Sequence, residues 1–426
     1  MHLVHSLAVL LFFSYHVLSA PAPQPQQKGR SFKVDRALRE DYVADGPTAL
    51  RNAYRKYRIV ETDTGVDMDD FEPVDTKSAV ASNNGPASEP ERNGSVSARS
   101  VQSDVAFVSP VTIGGQKIVM NFDTGSSDFW VMSTTTPAAA QHGHNVFNLS
   151  ESPTFEVMKE HSFEITYGDG SHAAGLVGTD KVDIGGITFP NQAIGIPVEL
   201  SQSFIEGEIS NGLVGLGFQS LSTIQPEKQP TFFGNVAPML DEPVLTALLK
   251  SDGVGEYEFG VVDHSKYQGQ LVNVSVDASN GWWQFPSKLF SVGDGPYQAI
   301  KKSPSAIADT GTSLLMTSPE VVDGYYAQVP GSNHVKRAGG YIFPCNAELP
   351  SLSIFAGHVR TIIPGRMMNF SYVGLNRTSG EELCFGGLQS NQGMPVQIFG
   401  DVFLKALFVV FDRRGPSLGL AVPSRY

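Results

Sequence analysis

Two short stretches of the sequence each place one aspartate at a tight turn between apolar segments. Residues 119–132 read Val-Met-Asn-Phe-Asp-Thr-Gly-Ser-Ser-Asp-Phe-Trp-Val-Met, and residues 305–315 read Ser-Ala-Ile-Ala-Asp-Thr-Gly-Thr-Ser-Leu-Leu. A single Asp-Thr-Gly is an ordinary turn composition. Two copies, at Asp123 and Asp309, indicate that each half of the chain presents one buried aspartate and that the two meet across a pseudo-two-fold axis.

Two carboxyl groups at contact distance share a proton, because both cannot ionise cheaply. One then acts as a base and the other as an acid at the same pH, and the two titrations belong to the pair. Such a pair can activate a water molecule and polarise an amide carbonyl in one step. We therefore predict direct attack of water on a peptide bond, with no covalent intermediate, no metal and no cofactor.

The paired motifs identify a family. From about residue 105 onward the chain resembles the pepsin-family aspartic proteases, and among them the secreted fungal penicillopepsin and aspergillopepsin type. The resemblance implies an all-β, bilobal, pepsin-like double β-barrel with an active-site cleft between two pseudo-two-fold-related lobes. It also implies an acid endopeptidase that prefers bulky hydrophobic residues around the scissile bond and binds statine-type inhibitors.

The resemblance assigns supporting roles to the three residues after each aspartate, which are Thr124, Gly125, Ser126, Thr310, Gly311 and Thr312. The two threonines after the aspartates would bond the backbone of the opposite lobe and hold the loops rigid. The glycines permit the turn and let a substrate backbone come near. The last hydroxyl of each loop would bond the outer carboxylate oxygen, with simple turn capping as the alternative.

A predicted hairpin tip matches the mobile flap of this family. Residues 167–171 read Tyr-Gly-Asp-Gly-Ser, which is a hairpin turn signal. Tyr167 corresponds to the flap tyrosine and Trp130 to the residue whose indole N–H meets its hydroxyl, with plain core packing as the alternative for Trp130. Gly168 and Asp169 would bond the substrate backbone, and a flap aspartate predicts secondary acceptance of lysine at the cleaved position.

An internal repeat extends beyond the two aspartates. Residues 211–217, Asn-Gly-Leu-Val-Gly-Leu-Gly, and residues 397–404, Gln-Ile-Phe-Gly-Asp-Val-Phe-Leu, each follow their aspartate by about 90 residues. Glycine is needed where backbones approach closely, and the resemblance implies that these strands pass behind the catalytic loops. Four apolar residues are candidates for the cleft walls, with core positions as the alternative: Phe204, Leu213, Trp283 and Ile398.

The first 20 residues have the form of a signal peptide, with an apolar run followed by Val-Leu-Ser-Ala. The run is too short for a membrane span. We predict a signal peptide at 1–20, a pro-segment and linker at 21–100, an N-terminal lobe at 101–280 and a C-terminal lobe at 281–426, with the mature start between 77 and 101. Secretion as a monomer is expected, without a membrane partner, and a vacuolar destination is the alternative.

The predicted pro-segment is basic, whereas the rest of the chain is acidic. Residues 21–60 carry nine Lys and Arg against four acids, and the residues after position 100 carry a net charge of −12. This charge argues against a nucleic-acid partner and favours an electrostatically held inhibitor. Residues 38–58 are predicted to form a helix, and Lys56 and Tyr57 match the Lys-Tyr pair that covers the catalytic carboxylates in this family; a solvated helix face is the alternative.

The remaining sequence predicts short strands and few helices. Residues 61–104 are polar and low in aromatics, as expected of a linker or disordered segment. Strands at regular spacing indicate a barrel-like β architecture, and helical signals occur only at 243–250 and 319–328. Strands are expected at Phe107–Ile113, Lys117–Phe122, Phe163–Tyr167, Gly175–Ile184 and Tyr257–Val262.

Two cysteines and five glycosylation sequons complete the expectations. The secretory context favours a disulfide between Cys345 and Cys384, which the family resemblance also implies; two free buried thiols are the alternative. The sequons are used only if the chain enters the secretory route. They lie at Asn93, Asn148, Asn273, Asn369 and Asn376.

Two other classes of protein compete with the protease. A binding protein that kept the fold but lost activity usually lacks a dyad aspartate or the flap tyrosine, and all three are present here. A glycoside hydrolase also uses two carboxylates, but it requires them to be spaced apart beside an aromatic platform. Two rigid Asp-Thr-Gly turns predict carboxyls in contact instead.

Overall fold

The computed structural model describes residues 31–35, 37–38, 44–60, 65–74, 107–166, 172–201, 211–250 and 255–424. We call residues 31–74 the N-terminal segment and residues 107–424 the body. The α-helices are α1 Gly46–Tyr57, α2 Ala138–Gln141, α3 Phe232–Val236, α4 Pro319–Tyr326 and α5 Asp401–Leu404. The strands are β1 Phe32–Asp35, β2 Ala37–Leu38, β3 Phe71–Pro73, β4 Phe107–Ile113, β5 Gln116–Asp123, β6 Phe129–Val131, β7 Glu156–Thr166, β8 His172–Ile184, β9 Ile187–Leu200, β10 Gly212–Gly215, β11 Val244–Leu248, β12 Glu256–Phe259, β13 Tyr267–Ser275, β14 Gln284–Pro286, β15 Leu289–Val292, β16 Gln298–Ala299, β17 Ser305–Ala308, β18 Leu315–Thr317, β19 Asn333–Val335, β20 Gly340–Pro344, β21 Leu352–Ala356, β22 Val359–Ile363, β23 Asn369–Asn376, β24 Glu382–Gly386, β25 Leu388–Ser390, β26 Val396–Phe399, β27 Phe408–Asp412 and β28 Ser417–Pro423.

The first half of the body, together with β2 of the N-terminal segment, forms an eight-stranded sheet in the order β2-β4-β5-β10-β6-β9-β8-β7. Strand β4 also pairs with β8, so the sheet curls back on itself. Successive side chains of a strand point to opposite faces, and β5 follows this rule: Ile118, Met120 and Phe122 are buried, whereas Lys117 and Val119 are exposed. The curled sheet therefore encloses an apolar interior.

The second half of the body contains three sheets. Their strand orders are β14-β17-β26-β18-β25, β16-β15-β21-β22 and β19-β20-β24-β23-β3. In the last sheet the edge strand β3 comes from the N-terminal segment and pairs with β23. The two halves are joined by a six-stranded sheet, β1-β12-β11-β27-β28-β13, to which both halves and the N-terminal segment contribute.

The all-β, bilobal, pepsin-like fold is confirmed, and most predicted elements lie at or near their expected positions. The strand predicted at Phe107–Ile113 has those bounds, and the helix predicted at 319–328 is α4. The predicted helix at 38–58 is shorter: α1 begins at Gly46, because the side chain of Asp45 caps its first turn by accepting from the Thr48 amide at 3.0 Å. The lobe boundary at 280/281 falls between β13 and β14 and stays a prediction.

Two sequence-based predictions are wrong. Residues 243–250 form no helix; they contain β11, whose five residues are all buried in the middle of the six-stranded sheet. A short apolar run buried on both faces has no periodicity that separates a strand from a helix. The stretch 61–104, expected to be a linker or disordered, contains the ordered residues 65–74 with strand β3.

Candidate active site

The two Asp-Thr-Gly loops occupy equivalent places in their sheets. Strand β10 lies between β5 and β6, parallel to the first and antiparallel to the second. Strand β26 has the same relation to β17 and β18. Each aspartate thus lies at the end of its strand, beside a crossing strand. The Leu216 amide donates to the Asp123 carbonyl at 2.7 Å. On the other side the Asp309 amide donates to the Phe399 carbonyl at 3.1 Å. The strands predicted at 211–217 and 397–404 contain these crossing partners, but the second strand ends at Phe399 and residues 401–404 form helix α5.

The loops are cross-linked by their threonines. The Thr124 hydroxyl donates to the Ala308 carbonyl at 2.9 Å and accepts from the Thr310 amide at 3.0 Å. The Thr310 hydroxyl donates to the Phe122 carbonyl at 2.7 Å and accepts from the Thr124 amide at 3.2 Å. Both side chains are buried, so four bonds in a dry environment fix one loop against the other.

Each carboxyl group is also held by its own loop. The Gly125 amide donates to Oδ1 of Asp123 at 2.8 Å, and the Gly311 amide donates to Oδ1 of Asp309 at 2.9 Å. The outer oxygens accept from hydroxyls: Ser126 donates to Oδ2 of Asp123 at 2.5 Å, and Thr312 donates to Oδ2 of Asp309. The contacts that the resemblance implied for these residues are therefore present in both loops.

The N-terminal segment covers the two carboxyls with a lysine and a tyrosine. Lys56 Nζ donates to Oδ1 of Asp123 at 2.7 Å and to Oδ1 and Oδ2 of Asp309 at 2.9 Å each. The Tyr57 hydroxyl donates to Oδ2 of Asp309 at 2.6 Å. One ammonium nitrogen thus contacts both carboxyls, and the predicted Lys-Tyr pair lies on the predicted aspartates.

Helix α1 positions this pair at its last turn. Leu50, Ala53 and Tyr54 form its buried face, and the Tyr54 hydroxyl donates to the Ser390 carbonyl at 3.0 Å. The helix ends at Arg58, which takes a left-handed conformation with φ 55°. The packed face therefore orients the helix so that its C-terminal residues reach the carboxyls.

The surroundings push the pKa values of the two carboxyls apart. Burial raises the pKa of Asp123 to about 6, more than the Lys56 ammonium lowers it, and the nearby Asp309 adds to the rise. Burial acts on Asp309 in the same direction, but the Lys56 ammonium together with hydrogen bonds from Asp123, Thr312 and Tyr57 outweighs it and lowers the pKa of Asp309. One carboxyl is thus biased towards the acid and the other towards the base.

Several predicted pocket residues are core residues. Trp283 and Ile398 are fully buried, and the Trp283 indole donates to the Leu216 carbonyl at 3.1 Å. Leu213 is half-buried and packs in the same apolar cluster as Trp130, whose side chain is buried. For Trp283 and Ile398 the alternative of a core position is therefore the correct one.

The sequence reasoning missed Trp282, the neighbour of Trp283. Trp282 is half-buried, and its ring centroid lies 6.4 Å from that of Tyr57, which stands over the carboxyls. Trp283 is buried instead in the core, so the two adjacent rings have different surroundings. The sequence signal for Trp282 was the pair of adjacent tryptophans. The sequence alone did not decide which of the two side chains is buried in the core.

Other predicted residues lie outside the described residues. The structure does not describe the flap residues Tyr167, Gly168 and Asp169, the candidate wall residue Phe204 or the sequon residue Asn93. The contact predicted between Trp130 and the flap tyrosine therefore stays a prediction. Of the other sequon residues, Asn273 is exposed, and three are partly buried: Asn148, Asn369 and Asn376.

The predicted disulfide is confirmed. Cys345 and Cys384 are bonded, with Cα atoms 4.9 Å apart, and no free cysteine is present in the part of the chain that the structure describes. The bridge ties the end of β20 to β24, its neighbour in the sheet.

Among the described residues there is no group of three or more His, Cys, Asp and Glu side chains that could hold a metal ion. Nor do the described helices include one long and apolar enough to cross a membrane.

Two buried carboxyls on equivalent Asp-Thr-Gly loops, within reach of one shared atom, define an aspartic peptidase. The family model described as eukaryotic aspartyl protease matches residues 106–422, and the chain belongs to this family. A protein of Aspergillus fumigatus named as an aspergillopepsin A-like aspartic endopeptidase is 59% identical, over 99% of this chain and 100% of its own.

Two further relatives carry related names. The aspartic protease PEP3 of Coccidioides posadasii is 46% identical, over 99% of this chain and 96% of its own length. Aspergillopepsin-1 of Aspergillus flavus is 42% identical, over 82% of each chain. With the family match, these relatives make the chain an aspartic endopeptidase of the aspergillopepsin type.

Proposed function

We propose that the chain is a secreted acid endopeptidase made as a zymogen, in which Asp123 and Asp309 activate the attacking water. The observation that carries this proposal is the position of Lys56 Nζ, 2.7 Å from Oδ1 of Asp123 and 2.9 Å from Oδ1 of Asp309. A single atom of that size bonds both inner oxygens. When the lysine leaves, a water oxygen can take the same place.

The geometry supports a reaction in which each carboxyl moves one proton. The carboxylate removes a proton from the water as its oxygen attacks the peptide carbonyl carbon, and the protonated carboxyl donates its proton to the carbonyl oxygen. The tetrahedral gem-diol then collapses. The carboxyl that was protonated by the water gives its proton to the nitrogen, one hydroxyl of the gem-diol gives its proton to the other carboxylate, and the C–N bond breaks to leave an amine and a carboxylic acid. The dyad ends with one proton, as it began.

The bonds within and between the loops support this chemistry by keeping the carboxyls in place. Amides of Gly125 and Gly311 and hydroxyls of Ser126 and Thr312 fix both oxygens of each aspartate. Polar groups that are already oriented need not reorganise during the reaction. The assignment of these residues as supporting groups rests on those contacts.

Latency at neutral pH follows from the cover that Lys56 and Tyr57 form over the dyad. Besides this contact, Lys33 of the N-terminal segment pairs with Glu256 at 2.5 Å, and Glu72 pairs with Arg377. The pKa of Glu72 is lowered by Arg377, and that of Glu256 is lowered by Lys266 and Lys33 in spite of burial. Residues 21–100 would then act as the inhibitory pro-segment of the enzyme.

The sign of the pH effect follows from these directions. The pKa values of Asp309, Glu72 and Glu256 are lowered by their pairing. The pairing therefore stabilises the bound segment fully at pH values above the ordinary carboxyl pKa of about 4, and this stabilisation is lost as the pH falls through the lowered pKa values. Asp123, with its pKa at about 6, takes up its proton first. Acid should therefore release the segment and start the reaction.

The proposed substrates are unfolded or extended polypeptides with bulky hydrophobic residues at the scissile bond. Tyr57 stands in the cleft beside the half-buried Trp282, which supports the binding of an aromatic or large aliphatic side chain there. Acceptance of lysine through Asp169, secretion directed by residues 1–20, a monomeric state and use of the sequons belong to the same proposal.

The dyad is tested by casein digestion at about pH 3–5 after release of the segment. Digestion should be blocked by a statine-type analogue and lost in Asp123→Asn, by at least about 10³-fold in kcat/KM. The exposed Asp294→Asn serves as the matched control and should digest casein like the wild type. An Asp123→Asn enzyme of undiminished activity would refute the mechanism.

The same assay separates the protease from a binding protein with this fold. A binding protein would yield no digestion even after the segment has been removed. The cover is tested separately with Lys56→Met in the full chain: it should hydrolyse a short fluorogenic peptide at pH values where the wild type is latent. If Lys56→Met and wild type show the same pH dependence, the lysine does not keep the enzyme inactive.

A further inference from the structure

The N-terminal segment contacts the body at a second place, shortly after Lys56 and Tyr57 in the chain. Residues 65–74, which we call the strap, cross the five-stranded sheet of the second half from one outer strand to the other. Val66 forms a parallel bridge with Val335 at the β19 edge. Strand β3 pairs antiparallel with β23 at the opposite edge, with Phe71 facing Asn376.

The strap is bound by main-chain hydrogen bonds at both ends. The Val66 amide donates to the His334 carbonyl at 2.8 Å, and the Lys336 amide donates to the Val66 carbonyl at 3.2 Å. At the other end the Val74 amide donates to the Val373 carbonyl at 3.0 Å. Such strand addition provides affinity through the backbone and leaves selectivity to side-chain pockets.

The pocket for selectivity is the one that holds Phe71. Its side chain is 1% exposed and belongs to the main apolar core, although the residues around it in the strap are mostly acidic. Burying a phenylalanine removes a large apolar area from water. Phe71 is thus the apolar anchor of the strap, comparable to a central residue of a protein interface.

The charges of the strap and of the body surface around Phe71 are also complementary. The strap carries four acidic residues, and the body presents basic side chains to it although its net charge is negative. Arg377 contacts both carboxylate oxygens of Glu72 at 3.1 and 3.2 Å, and Lys336 Nζ lies 3.6 Å from Asp67. The strap therefore suits this surface in charge as well as in shape, whereas residues 31–58 are basic and cover the acidic dyad.

The body also has a backbone adapted to the strap. Gly374 of β23 has φ 148°, and a Cβ atom there would lie 1.9 Å from the Glu72 carbonyl oxygen. The absence of a side chain at this position is what allows β3 to approach. The close approach, the Phe71 pocket and the basic side chains together form one site on the second half of the body.

We propose that this surface is a second peptide-binding site, separate from the catalytic cleft, which takes an extended acidic peptide with an aromatic anchor. In the zymogen its ligand is the strap, so the site sets how tightly the pro-segment is held. This regulatory role rests on the proposed zymogen function. The binding site itself does not, because its contacts involve neither aspartate of the dyad.

The test uses the enzyme obtained by acid activation of the full chain and three synthetic peptides, with residues 44–60, 44–74 and 65–74. A fluorescent 65–74 peptide should bind, as measured by anisotropy, and should leave hydrolysis of a short fluorogenic substrate unchanged. The 44–74 peptide should inhibit that hydrolysis about 30-fold more tightly than 44–60, since loss of a central aromatic anchor typically has an effect of this size.

Variants of the peptides identify the anchor without any risk to folding. Phe71→Ala in 44–74 should abolish the gain over 44–60, whereas Val74→Ala, a truncation of a 40% exposed side chain, should keep it. A Glu72→Arg peptide should bind the wild-type enzyme about threefold more weakly and recover on an Arg377→Glu enzyme. Both side chains of this pair are more than half exposed.

The possible failures are distinguishable. If 65–74 does not bind, or if it competes with the short substrate, the second site is refuted whatever the lysine does. If 65–74 binds but Lys56→Met in 44–60 leaves inhibition unchanged, the site stands and the proposed cover over the dyad fails. Equal effects of Phe71→Ala and Val74→Ala would refute the aromatic anchor.

Discussion

The loop around Asp123 and the loop around Asp309 make matching hydrogen bonds within the body and different ones with the N-terminal segment. Each carboxyl accepts from the glycine amide and from the hydroxyl of its own loop. Lys56, however, makes one bond to Asp123 and two to Asp309, and Tyr57 bonds Asp309 alone.

This difference shows where the asymmetry of the dyad originates. Both carboxyls are almost completely buried, yet the pKa of Asp123 is raised and that of Asp309 is lowered. Because the supporting bonds are equivalent, the contacts of the cover largely decide which carboxyl is ionised while the N-terminal segment is bound. The repeated loops determine the geometry of the two carboxyls, and the bound N-terminal segment determines which of the two is preferentially ionised.

The largest effect is expected from breaking the equivalent part of the loops. Thr124→Val and Thr310→Val each leave a buried carbonyl and a buried amide without a partner, at about 1–3 kcal/mol per group. Each variant should therefore lower the free energy of unfolding by about 2–6 kcal/mol, and by similar amounts. Denaturant titration of the full chain measures this change.

Thr361→Val provides the matched control for the threonine variants. The Thr361 hydroxyl is buried and has no hydrogen-bond partner among the residues that the structure describes, so its replacement should change stability little. If the two loop variants differed from each other by more than about 2 kcal/mol, the cross-link would not be symmetrical in energy.

An intermediate effect is expected from neutralising one carboxyl at a time. Asp309→Asn weakens the contacts of both Lys56 and Tyr57, whereas Asp123→Asn removes a single contact of Lys56. Hydrogen bonds to charged groups contribute about 1.5–3 kcal/mol each. Amide hydrogen exchange in α1 should accelerate on the order of 100-fold in Asp309→Asn and several-fold in Asp123→Asn, both near pH 7.

Asp294→Asn again controls for the loss of a carboxylate elsewhere, since this residue is exposed. Equal acceleration in the two dyad variants would mean that the cover does not distinguish between the carboxyls. Acceleration only in Asp123→Asn would reverse the proposed asymmetry.

The smallest effect is expected for Tyr57→Phe. The Tyr57 hydroxyl bond lowers the pKa of Asp309, so without it Asp309 takes up a proton at a higher pH and the cover opens earlier. The midpoint of acid activation should move up by less than about 1 pH unit, which corresponds to about 1.4 kcal/mol. Activation is followed with a fluorogenic peptide between pH 3 and 7.

Tyr297→Phe is the control for this variant, because Tyr297 lies in an exposed position with its ring against Phe355. A downward shift of the midpoint in Tyr57→Phe would contradict the stated sign. An unchanged midpoint would show that the Tyr57 hydroxyl does not contribute to the pH dependence.

The sequence predicted the centre of the site well, because the chemistry depends on short motifs that occur twice. Asp123, Asp309 and their threonines could be placed from the repeat, and Lys56 and Tyr57 from family resemblance. The direction of individual side chains was harder to predict. Trp282 and Trp283 are adjacent, and only the packing of the sheets decides which of them is buried and which lies beside Tyr57.

Long-range pairing explains the remaining errors. Strand β11 was predicted as a helix because all five of its residues are buried, so its sequence shows no alternation of apolar and polar residues. Its pairing with β27, which lies much later in the chain, is not visible in the local sequence. The strap looked like a polar linker, since its strand exists only through pairing with residues about 300 positions away. Phe71, the aromatic residue within an acidic run, was the local signal of its burial.

The six-stranded sheet that joins the halves has a consequence for synthesis on the ribosome. Its middle strands, β27 and β28, are made after all the others, and β11 and β13 have no complete pairing until they emerge. Pairing of such distant segments is slow. The earlier strands therefore keep unpaired apolar edges until the last strands have left the exit tunnel. During that interval these edges are prone to aggregation and require protection in the cell.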